Sequence, residues 1–242
     1  MPYKIVVILS GGMDSSVLLF DALKKGHEVS ALTIDYGQRH KKEIEAARKI
    51  TEWVMPGPTG WGSLVAHEVV DLGSALRPIF RGSGSSQVDN IAVPHGHYAE
   101  DSMKQTIVPN RNMLLLALAG AWAISKKYDS IAYGAHAGDH AIYPDCRPEF
   151  VDALALALLK ADWHQVTIVR PFISWTKADI AARGTQLGVP FHLTWSCYEG
   201  GDLHCGECGT CVERKEAFRD AKVYDPTDYI NSEGVSSVRR TA

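Results

Sequence analysis

Ser10-Gly-Gly-Met-Asp-Ser-Ser16 joins two adjacent glycines to three hydroxyls and one carboxylate. The string follows an apolar run at residues 5–9 and opens a stretch of helical periodicity at residues 15–25. Gly11 and Gly12 permit backbone angles closed to other residues and let the chain come close to a ligand. A helix N-terminus presents unpaired N–H groups and the positive end of a dipole, to which Ser10, Ser15 and Ser16 add donors. Such a turn binds phosphate. It is neither a Walker A loop, which needs a following Gly-Lys-Ser/Thr, nor a Gly-x-Gly-x-x-Gly dinucleotide turn. The plainer alternative is a Gly-Gly turn with Asp14 or Ser15 as helix cap, and the serine-rich string after a buried strand favours phosphate.

The second constellation is Cys197-x7-Cys205-x2-Cys208-x2-Cys211. Four thiolates in tetrahedral array make a closed structural zinc site with no open position for water. The same spacing also fits an iron–sulfur cluster, and metal-free reduced cysteines are the plain alternative. Gly206 and Gly209 suit the turns of a knuckle, and a helix is expected to leave it around Arg214 and Lys215. A metal here stabilises the fold and takes no part in the chemistry.

Around these groups, short apolar runs at 5–9, 28–33, 66–70, 130–133 and 166–169 alternate with helical patterns at 15–25, 41–52, 113–125, 150–160 and 177–187. Alternation of this kind predicts an α/β fold, a doubly wound and mostly parallel sheet covered on both faces. The expected division is an α/β domain over 1–190 and a zinc-bearing extension over 191–242 packed on it. A ligand belongs outside the carboxyl ends of the strands, at the switch point beside the first βα turn. Residues 55–63 read as a surface loop; residues 81–106 read as a flap near the site or a tolerated insertion.

The 242 residues carry 25 Lys and Arg against 28 Asp and Glu, a net charge of −3 that gives no electrostatic footprint for nucleic acid. The first apolar run is too short for a signal peptide and no run reaches membrane-spanning length, so a cytoplasmic location without membrane contact is expected.

The first string resembles the pyrophosphate loop of the ATP-pyrophosphatase superfamily, whose adenine nucleotide alpha-hydrolase-like members cleave ATP between its α and β phosphates. The whole chain resembles the 7-cyano-7-deazaguanine synthase family of the queuosine pathway. The strings that carry the likeness are Ser10 to Ser16, Asp35-Tyr-Gly-Gln-Arg-His40, Val108-Pro-Asn-Arg-Asn112, Tyr143-Pro-Asp-Cys-Arg147, Thr194-Trp-Ser-Cys-Tyr198 and Cys205-Gly-x-Cys-x-x-Cys211.

The resemblance implies adenylation of the carboxylate of 7-carboxy-7-deazaguanine by ATP and displacement of AMP by ammonia. A second activation then leaves the nitrile, in a homodimer that needs Mg²⁺. Arg111 becomes a candidate partner for the substrate carboxylate or a phosphate, with a surface ion pair as alternative. Tyr143, Asp145 and Arg147 become candidates for the deazapurine, Asp145 alternatively a turn residue. Asp14 would position Mg²⁺ or the loop. Lys177 would reach phosphate or be a solvated helix start, and Asp35 would lie beside adenosine or cap its strand. Cys146 reads as a small buried side chain.

Residues 134–142 depart from the family pattern, so His136, Asp139 and His140 are candidates to line the substrate site in a way particular to a subgroup. Three rival readings remain: a relative that stops at the amide or passes the activated base to an amine on a partner protein, a tRNA-modifying enzyme, and a non-catalytic ATP sensor.

Overall fold

The computed structural model describes residues 3–39, 41–55 and 57–230. His40, which ends one of the family strings, and residues 231–242 of the C-terminal extension lie outside them. Five strands, β1 (Lys4–Ile8), β2 (Glu28–Asp35), β3 (Ser63–Asp71), β4 (Ser130–Ala132) and β5 (Thr167–Val169), form one sheet in the order β3-β2-β1-β4-β5. Every pairing is parallel. The chain builds outward from β1 through β2 to β3, then returns to the other side of β1 for β4 and β5, so the switch point falls between β1 and β4.

Alternate residues explain why both faces are covered. Ile5 and Val7 of β1, with Val29 and Ala31 of β2, enter one apolar cluster, while Val6, Leu32 and Ile34 enter the other. Helices α1 (Met13–Lys24), α2 (Lys42–Val54) and α6 (Lys177–Leu187) cover the first face. Helices α4 (Arg111–Lys126) and α5 (Pro148–Leu159) cover the second. The doubly wound parallel architecture expected from the sequence is therefore the one observed.

Two helices differ from the expectation. The short α3 (Gly73–Phe80) was not expected, because eight residues with a leading glycine and an internal Pro78 carry no readable period. The last, α7 (Gly209–Asp220), begins inside the cysteine cluster with Cys208 as its N-cap, several residues before Arg214. Among the described residues no helix is long and apolar enough to cross a membrane.

Arg214 of α7 is fully buried. Its guanidinium donates to Thr194 Oγ1 at 2.8 Å, Ser196 Oγ at 3.2 Å and the Phe191 carbonyl at 3.0 Å, and pairs with Asp225 at 3.4 Å. These bonds tie α7 to the segment that leads into the first cysteine. Arg214→Leu is expected to lower stability by about 3–5 kcal/mol, because Asp225 and three acceptors lose their partner. Urea unfolding checks this, and an unchanged midpoint would show that the network is not stabilising.

Candidate active site

The Ser10 to Ser16 loop runs from the end of β1 into α1. Gly11 has φ +85°, in the left-handed region, and a Cβ there would stand 2.1 Å from the Glu43 carbonyl oxygen of α2. The loop is thus pressed against the start of α2 in a way only glycine permits. Ser10 and Ser15 share a hydroxyl contact of 3.0 Å, and the Ser16 hydroxyl donates to the Gly12 carbonyl at 2.8 Å. The α1 N-cap is Gly12, and no side chain caps the helix. The alternative of Asp14 or Ser15 as cap is not what forms, so the first-turn amides stay open toward a cavity.

That cavity encloses about 240 Å³. It lies at the carboxyl ends of β1 and β4, where Ser10, Gly12, Asp14 and Ser15 meet Tyr133 and Gly134. Lys177, the first residue of α6, enters from below a Thr176–Asp179 capping box. Its ammonium lies 2.7 Å from Asp14 Oδ2, 3.0 Å from Glu213 Oε2 and 3.2 Å from His136 Nε2. Burial works against the Lys177 charge, but Asp14, Glu213 and Asp139 outweigh it and hold the ammonium protonated well above its ordinary range. Burial would likewise raise Asp14, yet Lys177 and His136 keep its carboxyl below the ordinary value. The other Asp14 oxygen, Oδ1, is buried without a hydrogen-bond partner among the described residues.

His136 is completely buried behind Lys177. Its Nδ1 accepts from the Gly138 amide at 3.1 Å, leaving Nε2 toward Asp139 Oδ1 at 3.5 Å and Glu213 Oε1 at 3.7 Å. The Asp139 carboxylate in turn accepts from the His136 amide at 3.1 Å. Asp14, His136, Asp139 and Lys177, scattered over the sequence, are thus brought into one cluster, and Glu213 of α7 completes it.

On the opposite wall Arg111 opens α4 after Asn110, whose φ of 58° is left-handed. Its guanidinium donates to Tyr36 Oη at 3.4 Å, and among the described residues it has no carboxylate partner. The surface ion-pair alternative therefore does not hold. Tyr143 is on the wall as well, its hydroxyl 2.6 Å from Thr106 Oγ1.

Three expected ligand contacts fall elsewhere. Asp145 Oδ2 accepts the Asn112 amide at 3.0 Å and so caps α4 from outside, which aims Arg111. Arg147 Nε donates to the His140 carbonyl at 2.9 Å, off the cavity wall. Asp35 ends β2 by accepting the Gly37 amide at 3.0 Å and pairing with Lys41 at 2.7 Å, the strand-end cap of the alternative reading. Its neighbour Tyr36 faces the cavity instead. Cys146 is buried, and burial pushes its thiol well up, which removes it as a nucleophile.

The Sγ atoms of Cys197, Cys205, Cys208 and Cys211 all lie within 4.8 Å of one another. Backbone amides of Cys205, Glu207 and Cys208 point at these sulfurs at 3.2–3.4 Å, and Gly206 makes the turn at φ +81°. Four clustered thiols with amides directed at the sulfurs fit a structural metal of the zinc type. The knuckle also builds the cavity, since Trp195, Ser196, Tyr198, Thr210 and Glu213 line it. Residues 81–106 are joined to it through a bridge between His95 and Cys208 and a 3.1 Å bond from the Gly96 amide to the Glu207 carbonyl. Tyr98, Met103 and Thr106 of that segment reach the cavity wall, so it is part of the site rather than an insertion.

A model of the family described as queuosine biosynthesis protein QueC matches residues 4–222. The chain belongs to this family. A relative from Pseudoalteromonas translucida called 7-cyano-7-deazaguanine synthase is 48% identical over 229 residues, 95% of this chain and 100% of its own length. One of the same name from Methanoregula boonei is 49% identical over 226 residues, 93% of this chain and 99% of its own. A third, from Caldicellulosiruptor saccharolyticus, is 46% identical over 228 residues, 93% and 95% of the two lengths.

Family strings pointed to most of the loop and knuckle and included Tyr36, but they did not reach Glu43 or Glu213. Glu43 shares the α2 stripe of Ala47, Ile50 and Val54, and Glu213 shares the α7 stripe of Ala217. A carboxylate on an apolar stripe is the signal that would have found both.

Burial raises the Glu43 carboxyl to about 7, with Arg111 acting the other way. The unfolded chain releases this proton first, so the stabilising contribution is full below the unfolded value of 4.5 and is lost as pH rises through about 7. Glu43→Gln is expected to match the parent near pH 4 and to exceed it by up to about 3 kcal/mol near pH 8. Urea titrations at the two pH values check this; a difference that does not grow with pH would refute it.

Proposed function

We propose that this protein is an ATP-dependent synthase that converts 7-carboxy-7-deazaguanine to 7-cyano-7-deazaguanine with ammonia as nitrogen donor. The observation that carries the reading is the cavity at the β1–β4 switch point, where an uncapped helix N-terminus, Lys177 and the unpaired Arg111 converge. Full-length relatives that share one name support it.

A carboxylate is a poor electrophile, and adenylation gives its oxygen a good leaving group. The substrate carboxylate attacks the α-phosphorus of ATP and pyrophosphate leaves. Ammonia adds at the acyl carbon, AMP departs with the electron pair, and a proton is released. The amide oxygen then attacks the α-phosphorus of a second ATP, a second pyrophosphate leaves, and loss of AMP and two protons gives the nitrile.

The chain's own groups position and offset charge. Ser10, Gly11, Gly12, Ser15 and Ser16 form the pyrophosphate cradle, Ser16 by fixing the Gly12 carbonyl. Lys177 faces the phosphates, held by Asp14, Glu213 and the His136–Asp139 pair. Arg111 holds the substrate carboxylate, and Tyr143 flanks the base. Asp145 and Arg147 act one layer back, as does Asp35 behind Tyr36. Buried Asp14 Oδ1, without a hydrogen-bond partner among the described residues, fits Mg²⁺, which would offset phosphate charge. The four thiolates would hold Zn²⁺ as a structural ion.

The protein is read as a cytoplasmic homodimer, for which Leu156 of α5, 57% exposed, and the fully exposed Trp163 offer apolar surface.

Mass spectrometry of the protein with 7-carboxy-7-deazaguanine, ATP, Mg²⁺ and ammonium tests the reaction. A nitrile, with AMP formed twice per turnover, is the expected result. An amide that accumulates, or a mass gain on an added partner protein, would overturn the end point; no AMP at all would overturn the substrate.

A further inference from the structure

Among the described residues four carboxylates line the cavity: Asp14, Glu43, Asp139 and Glu213. Asp14 and Glu213 share Lys177, and Asp139 is taken by His136. Glu43 differs. It has no hydrogen bond or ion pair among the described residues, although it is partly buried in the first turn of α2. Its backbone is fixed by the close approach to Gly11, and its side chain lies on the stripe that α2 turns inward.

Arg111 also lacks a carboxylate partner among the described residues; it lines the same cavity as Glu43, and its charge lowers the Glu43 carboxyl without an ion pair forming. Tyr36 feels both charges, so it stands in the same part of the wall. The cavity therefore offers one cation and one carboxyl, neither with a charged partner among the described residues. Two such groups on one cavity wall suit a ligand with an anionic end and a separate hydrogen-bond donor edge.

The base assigned above has both, and the inference rests on that reading. Its carboxylate is on the five-membered ring. On the far side of the six-membered ring, N1–H and the exocyclic amino group present two parallel donors. A carboxylate is the side chain whose two oxygens match such a pair. We propose that Glu43 accepts hydrogen bonds from N1–H and the 2-amino group of the deazapurine and is the residue that selects a 2-amino-6-oxo base.

An ammonium ion is the competing occupant of an unpaired carboxylate. The Arg111 charge beside Glu43 opposes a second cation there, whereas a neutral base edge meets no such repulsion. A site built to hydrogen-bond a group also rejects the analogue that lacks it, because its own acceptor is left bare.

The experiment compares parent protein and Glu43→Gln on 7-carboxy-7-deazaguanine and on its 2-desamino analogue, with ATP and ammonium varied in turn. The parent is expected to prefer the 2-amino base by about 10²-fold or more in kcat/KM. In Glu43→Gln this preference falls below about 10-fold through KM for the base, while KM for ATP and for ammonium stays within about twofold. A preference that survives the substitution overturns the proposal. So does a rise confined to KM for ammonium, which would assign Glu43 to ammonium, or a rise confined to ATP. If the parent turns over neither base, the proposed function fails on that arm alone. Calorimetric titration with the two bases then decides Glu43 separately, and equal affinities in parent and variant overturn its role.

Discussion

Replacing Arg111 by methionine is expected to lower kcat/KM by about 10²–10³-fold, the usual effect of removing one preorganised donor from a charge-stabilising site. The size of the effect follows from what the guanidinium does not touch. Among the described residues its one hydrogen bond is a long contact to Tyr36 Oη, and it pairs with no carboxylate. Its remaining donors are open to the cavity, so their loss falls on bound anion and not on folding. The unfolding midpoint in urea is therefore expected to stay close to the parent's. Arg111→Lys keeps the charge but not the planar fork, and is expected to recover only part of the rate. AMP release under steady-state conditions measures both variants. An Arg111→Met protein with parental kcat/KM would remove Arg111 from the reaction, and one that unfolds would make it a structural residue.

The second large effect is expected at the knuckle. Cys208 is both a thiolate of the cluster and the N-cap of α7, and Cys211 stands in the first turn of the same helix. That helix carries Glu213 into the cavity and Arg214 into the core. Cys208→Ala removes a ligand and loosens all three. The expected result is loss of bound zinc, measured by metal analysis, and a fall in Tm of about 10 °C or more, equivalent to about 4–5 kcal/mol. Activity falls with it because Lys177 loses one of its two carboxylates. Cys146→Ala is the control: a buried cysteine outside the cluster, expected to keep metal and turnover. A Cys208→Ala protein with full zinc and parental Tm would show that the cysteines hold no structural metal.

What could be read in advance was local in the chain. The phosphate loop is a run of seven residues, and four cysteines within fifteen residues meet around one point, so short-range geometry is enough to assemble each. The parallel sheet was legible because continuous apolar runs have few other uses. Asp145, by contrast, meets its partner Asn112 across 33 positions, and nothing local distinguishes a helix cap from a substrate ligand. Lys177 and Asp14 are 163 positions apart, and Glu213 joins them only after α7 packs on α6. A Tyr36 facing the cavity and an Asp35 facing away from it follow from strand alternation, once the end of β2 is known to reach residue 35 and not 33.

The shared ammonium has a consequence for how the two halves of the site communicate. Lys177 touches Asp14 on the phosphate loop and Glu213 on the knuckle helix at once. A nucleotide that draws the ammonium toward its phosphates weakens the hold on Glu213, and a knuckle that sets Glu213 firmly restrains that movement. In the proposed enzyme, occupancy of the loop by ATP and of the thiolates by metal would thus be thermodynamically linked. Whatever factor ATP exerts on metal affinity, the metal must exert on ATP affinity, with the same sign and size.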